Sequence, residues 1–146
     1  MSKKGVIILV AVMLCSLVSK AQDKYRIKNS WKGTYLNVEN GLACGTIQTG
    51  WTSAMWTLEK ISGTTNYRIK NNWKGTYLNT QNGLTCSSIE TGWTSAIWTL
   101  EKVTGTDNYR IKNNWKGTYL NIENGTLQCG SIQTGWVSAM WNFQNL

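Results

Sequence analysis

A stretch beginning at Tyr25, YRIKNSWKGTYLNVENGLACGTIQTGWTSAMWTLEKISGTTN, is rewritten from Tyr67 and once more from Tyr109. Tyr25–Asn66 and Tyr67–Asn108 share 31 of 42 positions, and the third copy carries one extra residue near Gly125 and ends at Leu146 without the tail. Near-identity at this period constrains the fold more than any other feature of the chain. Each copy is a supersecondary unit that cannot bury its own apolar face and must share a core with the others.

The pattern within one copy tells what kind of unit it is. Tyr25-Arg26-Ile27-Lys28, Leu36-Asn37-Val38-Glu39 and Trp56-Thr57-Leu58-Glu59 alternate apolar and polar residues, the period of a half-buried strand, and Ala43 to Gln48 is small and β-compatible. Asn40-Gly41, Asn82-Gly83 and Asn124-Gly125 join two such runs, and Lys32-Gly33 punctuates the first hairpin. Asn-Gly suits tight turns that need φ > 0. No stretch after the leader shows a helical stripe, so the spacing predicts four short strands per copy, about twelve in all. Tyr25, Ile27, Leu36, Ile47, Trp56 and Leu58, with their counterparts, are the expected core.

Four-stranded units suggest propeller blades, but a propeller needs about four to close. Three can instead close as a barrel capped by hairpins, which leaves no open sheet edge. That is an all-β, pseudo-threefold β-trefoil. YRIKNSWKGTYLNVENG resembles the opening strands of the ricin-type β-trefoil lectins, and TIQ followed by SAMWTLE resembles their closing hairpin with its tryptophan. The resemblance covers Tyr25 to Leu146 and implies a carbohydrate-binding domain.

Ahead of the repeats, Met1-Ser2-Lys3-Lys4 is a basic start, Gly5 to Val18 an apolar run short for a bilayer, and Ser19-Lys20-Ala21 ends in small residues. The expected division is a signal peptide over 1–21 and a trefoil domain over 22–146, with repeats 25–66, 67–108 and 109–146. The expected location is secreted, periplasmic or extracellular. Removing Lys3, Lys4 and Lys20 leaves 12 − 7 = +5. Three cysteines then remain, Cys44, Cys86 and Cys129, at equivalent points. Threefold-related thiols cannot all pair with one another, which favours free, partly buried thiols.

Catalysis is not expected. The chain has no histidine for triad chemistry, and its acids form no repeated pair of the kind glycoside hydrolysis uses, Glu39 being matched by Gln81 and Gln48 by Glu90. No metal or other cofactor is expected.

Tryptophan is the residue in excess, nine in all. Trp56, Trp98 and Trp141 are in phase with the core. Trp51, Trp93 and Trp136 follow a glycine at the end of the third strand, and Trp31, Trp73 and Trp115 stand on a hairpin. A sugar offers one C–H face and a rim of hydroxyls, so its site wants a flat aromatic beside amides or carboxylates. Each copy supplies such a set: Asn37, Gln48 and Trp51; Asn79, Glu90 and Trp93; Asn121, Gln133 and Trp136. The ricin-type resemblance implies a sugar-contacting polar residue at Asn37 and an aromatic near Trp51. This chain departs from that pattern, with asparagine where aspartate is usual and Ala54, Ala96 and Ala139 where the family has glutamine.

The alternative function is an adhesion module for anionic surfaces or polysaccharide. It would use Arg26, Lys28, Trp31 and Lys32 with Arg68, Lys70, Trp73, Lys74, Arg110, Lys112, Trp115 and Lys116. A protein-interaction or inhibitor trefoil fits less well, because no copy has a distinctive long loop. The expected partners are glycans or cell-surface polysaccharide rather than nucleic acid, and no transmembrane segment is expected in the mature chain.

Overall fold

In the computed structural model, which describes residues 22–146, the three copies fold into twelve strands. The first copy forms β1 (Lys24–Asn29), β2 (Tyr35–Asn37), β3 (Ala43–Gly45) and β4 (Trp56–Lys60). The second forms β5 (Tyr67–Asn71), β6 (Tyr77–Asn79), β7 (Thr85–Ser87) and β8 (Trp98–Lys102), and the third β9 (Asn108–Asn113), β10 (Tyr119–Asn121), β11 (Gln128–Gly130) and β12 (Trp141–Asn145). The expected leader lies outside the described residues.

The outer two strands of each copy close a ring. β1 pairs with β4, β4 with β5, β5 with β8, β8 with β9, β9 with β12 and β12 with β1, all antiparallel. Closure satisfies both edges of every barrel strand, as a repeat with no self-sufficient core requires. The inner pair of each copy forms a hairpin hung from the first barrel strand through Lys28↔Tyr35, Lys70↔Tyr77 and Lys112↔Tyr119. The fold is therefore the β-trefoil.

Inside the ring, Ile27, Leu36 and Trp56 and their counterparts are buried together. Each core indole donates its N–H to the carbonyl of Leu36, Leu78 or Leu120 at 2.9 Å, so a large apolar ring is buried without an orphaned donor. Val38 and Ile122 complete this layer, while the second copy has Thr80, whose hydroxyl donates to Asn113 Oδ1 at 3.1 Å.

Two expectations about the core are corrected. Ile47, Ile89 and Ile132 are only half-buried, because the third strand stops at Gly45 and its counterparts and the isoleucine falls on the turn beyond, outside the shared cluster. Tyr25, Tyr67 and Tyr109 are also half-buried, since they stand at the end of the barrel that the β2–β3 hairpins do not cover, whereas Leu58 and Leu100 at that end still pack against the core cluster.

Candidate carbohydrate site

The hairpin of one copy docks on the copy before it. Ser30 N–H donates to Met140 O, Asn72 N–H to Met55 O and Asn114 N–H to Ile97 O, each at 2.9 Å. The residue ahead of each is a fully buried asparagine on the inward phase of its strand. Asn29, Asn71 and Asn113 donate through Nδ2 to the carbonyls of Ser138, Ser53 and Ser95 at 2.9 Å, while Oδ1 accepts the next hairpin's N–H groups, such as Trp31 at 3.0 Å and Lys32 at 3.2 Å. One amide thus fixes both the hairpin's shape and its seat on the neighbouring copy, and it sets where the hairpin tryptophan stands.

That seat is a short 3-10 turn, Thr52–Ala54, Thr94–Ala96 or Val137–Ala139. Trp51, Trp93 and Trp136 immediately precede it, each donating its backbone N–H to the carbonyl of Gln48, Glu90 or Gln133 at 3.1 Å. The alanines at the family's glutamine positions are its buried last residues.

The consequence is a cleft made by two copies. A cavity of about 260 Å³ is lined by Trp31 of the first copy and by Glu123, Gly135, Trp136, Val137 and Ser138 of the third. Trp31 is 46% exposed and Trp136 is half-buried, so indoles from both sides of the junction border the same space. Ser138 donates its hydroxyl to Glu123 Oε2 within the wall. The same docking bonds recur at the other two junctions, seating the turn that carries Trp73 on the Ser53 turn and the turn that carries Trp115 on the Ser95 turn. There Ser95 donates to Gln81 Oε1 at 2.7 Å, whereas Ser53 Oγ is buried with no protein partner. A second cavity, about 420 Å³, lies between the first two copies and sets Glu39, Gly41 and Leu42 opposite Lys74 and Thr76.

The expected sugar-contacting asparagines do not reach these clefts. Asn37, Asn79 and Asn121 are buried, and each Nδ2 donates to the carbonyl two residues back while Oδ1 accepts the N–H two residues on, at 3.1 Å. The side chain holds the turn on both sides of itself. The polar residue the two cavities do present is two positions on, Glu39 or Glu123, with Gln81 as its counterpart in the second copy. Gln48, Glu90 and Gln133 are exposed on the turn leading to their tryptophans.

The basic residues divide. Arg26, Arg68 and Arg110 each donate Nη2 to the carbonyl of Thr49, Thr91 or Thr134, two residues before the turn tryptophan, so they pin that loop. Lys28, Lys70 and Lys112 lie over Tyr35, Tyr77 and Tyr119 at 5.7 Å. Lys32, Lys74 and Lys116 are exposed and sit 4.1–4.2 Å from the ring centroid of their neighbouring Trp31, Trp73 and Trp115. A cation so placed holds one indole face, a contact worth about 0.5–1 kcal/mol at an exposed site.

Burial raises the thiols of Cys44, Cys86 and Cys129, partly offset by hydrogen bonds from Thr34, Thr76 and Thr118, and all three are unpaired. Among the described residues no group of three His, Cys, Asp or Glu side chains is placed to hold a metal ion, and no helix is long and apolar enough to cross a membrane.

No family model matches the sequence, and no curated protein does. Solved structures match well. The chain is similar to a GlcNAcα1-4Gal-releasing endo-β-galactosidase from Clostridium perfringens, at 28% identity and a TM-score of 0.76 over 85% of this chain and 32% of that one. This chain thus spans about a third of that enzyme's length. It is also similar to ThreeFoil, a designed threefold-symmetric protein, at 20% identity and a TM-score of 0.73 over 84% of this chain and 99% of that one. SeviL, solved bound to the asialo-GM1 saccharide, matches at 23% identity and a TM-score of 0.70 over 84% and 96%.

Proposed function

We propose that this protein is a secreted, non-catalytic lectin with three related sugar sites, one at each junction between copies. The observation that carries this is the two-copy cleft in which Trp31 and Trp136 border one space with Glu123 and Ser138 in its wall. An indole face for a sugar's C–H surface, beside a carboxylate or amide for its hydroxyls, is the pairing that carbohydrate recognition requires. Carbohydrate-bound relatives on the same fold, SeviL among them, support the reading. Three weak sites on one rigid body gain on the order of 10²–10⁴ in avidity on a multivalent surface. Agglutination or retention on polysaccharide is therefore expected before tight monosaccharide binding. Export rests on the basic, apolar and small-residue order of positions 1–21.

One observation favours the anionic-surface reading as a second. Lys32, Lys74 and Lys116 stand on the hairpin tips beside the clefts, free of ion pairs among the described residues. Salt separates the two, because exposed charges are screened beyond about 8 Å at physiological ionic strength and stacking on a neutral sugar is not. A glycan array at two salt concentrations decides, run with wild type, with Trp51, Trp93 and Trp136 all changed to alanine, and with Trp31, Trp73 and Trp115 all changed to alanine. Both triple variants should lose the neutral-glycan signals. Retention of every signal by either one would refute the two-copy site.

A further inference from the structure

The barrel end away from the hairpins holds a cavity of about 450 Å³ on the pseudo-threefold axis, distinct from the junction clefts. Equivalent residues from all three copies line it: Leu58, Leu100 and Phe143 deeper in the barrel, with Tyr25, Tyr67 and Tyr109 around them. Phe143 replaces the third leucine and meets Tyr25 and Tyr109 edge-on, at 6.1 and 5.7 Å between centroids. Burial first, then Asp23, Tyr67 and Tyr109, holds the Tyr25 phenol above its ordinary value, as expected for phenols gathered around one opening.

Strand alternation puts a lysine next on this face of two strands. Trp56 and Leu58 face the barrel interior, so Lys60 is the next residue on that face, and Lys102 follows Trp98 and Leu100 in the same way. Lys60 is in register with Tyr67 and Lys102 with Tyr109, and Lys102 Nζ lies 4.9 Å from the Tyr109 ring centroid. Lys102 also meets Asp107 at 3.8 Å, a loose surface pair, whereas the loop beside Lys60 carries Thr65 at the matching position and Lys60 has no ion pair among the described residues. The third corner is Asn145, which is neutral.

An apolar floor, a collar of phenols and two lysines in register with Tyr67 and Tyr109 make a site for an amphiphile with a negative head. Its volume lies within the roughly 300–1,000 Å³ of small-molecule sites. We propose that this cavity binds a medium-chain carboxylate, the chain lying on Leu58, Leu100 and Phe143 and the carboxylate facing Lys60 and Lys102. This site does not depend on the lectin reading.

The test is calorimetric titration with sodium decanoate, 1-decanol and decyltrimethylammonium, each below its micelle concentration. One saturable decanoate site per chain is expected, with decanol weaker and the cationic amphiphile weaker still. Lys60→Met should weaken decanoate about tenfold, the scale of one charge-assisted contact, and leave decanol unchanged. Leu58→Phe, which copies the residue already at 143, should weaken decanoate and decanol alike by filling the cavity. Absence of saturable decanoate binding, equal affinity for all three head groups, or unchanged decanoate affinity in Leu58→Phe would each overturn the proposal. The wild-type head-group comparison decides even if a variant fails to fold.

Discussion

Replacing Asn71 with alanine should loosen the joint between the first two copies at a calculable cost. Asn71 is fully buried, donates to Ser53 O at 2.9 Å and accepts from the N–H groups of Trp73 and Lys74 at 3.1 Å. A buried group left without its partner costs about 1–3 kcal/mol. Ser53 O keeps the Val38 N–H at 3.1 Å, and the two hairpin N–H groups are only part-buried and regain water in part. Those offsets place the total at about 2–3 kcal/mol, which for a domain of this size lowers Tm by about 6–12 °C. The threefold repeat supplies the control, because Asn29 makes the same three contacts and Asn29→Ala should agree within about 0.5 kcal/mol. Asn113 makes them too but also accepts from Thr80 Oγ1, so Asn113→Ala should cost about 1 kcal/mol more. Urea unfolding followed by circular dichroism measures all three. A loss below about 1 kcal/mol at every site, or no extra cost at Asn113, would refute the assignment of these amides as the joint.

Arg68→Met removes the donor to Thr91 O, so hydrogen–deuterium exchange of the Ser88–Ile97 segment should quicken while the barrel strands keep their protection. Burial, and then the neighbouring Glu59 carboxylate, pushes the Tyr77 phenol up to about 12. An unfolded phenol near 10 loses its proton first, so the stability present below pH 10 should fall between about pH 10 and 12. Tyr77→Phe should flatten that decline in denaturant titrations at stepped pH, and an unchanged slope would count against the assigned cause. The half-buried thiols of Cys44, Cys86 and Cys129, which burial holds in the protonated form, should react slowly with iodoacetamide at pH 8 and quickly once urea unfolds the chain, as mass spectrometry of the alkylated protein would record.

The repeat and its period-2 runs made the barrel legible, because strands, Asn-Gly turns and the indole of Trp56 are specified locally. The sites were less so. Trp31 and Trp136 are 105 residues apart in the chain, and only docking of Ser30 on Met140 brings them together. A signal for that docking was present in Asn29, a polar residue on the inward phase set by Tyr25 and Ile27, which demands buried partners. Asn37 was legible only by resemblance: its place matches a family contact, and in the structure its short amide closes the local turn through one N–H and one accepted bond.

Pairing of β1 with β12 from Tyr25↔Asn145 to Asn29↔Trp141 makes the seam between the first and third copies as fully hydrogen-bonded as the covalently connected β4–β5 and β8–β9 seams. Where the polypeptide starts is thus nearly arbitrary. A circularly permuted gene opening at Tyr67, with the old termini bridged, should yield the same ring, whereas a lone unit has no neighbour to complete its half-sites and a fourth has no gap to enter.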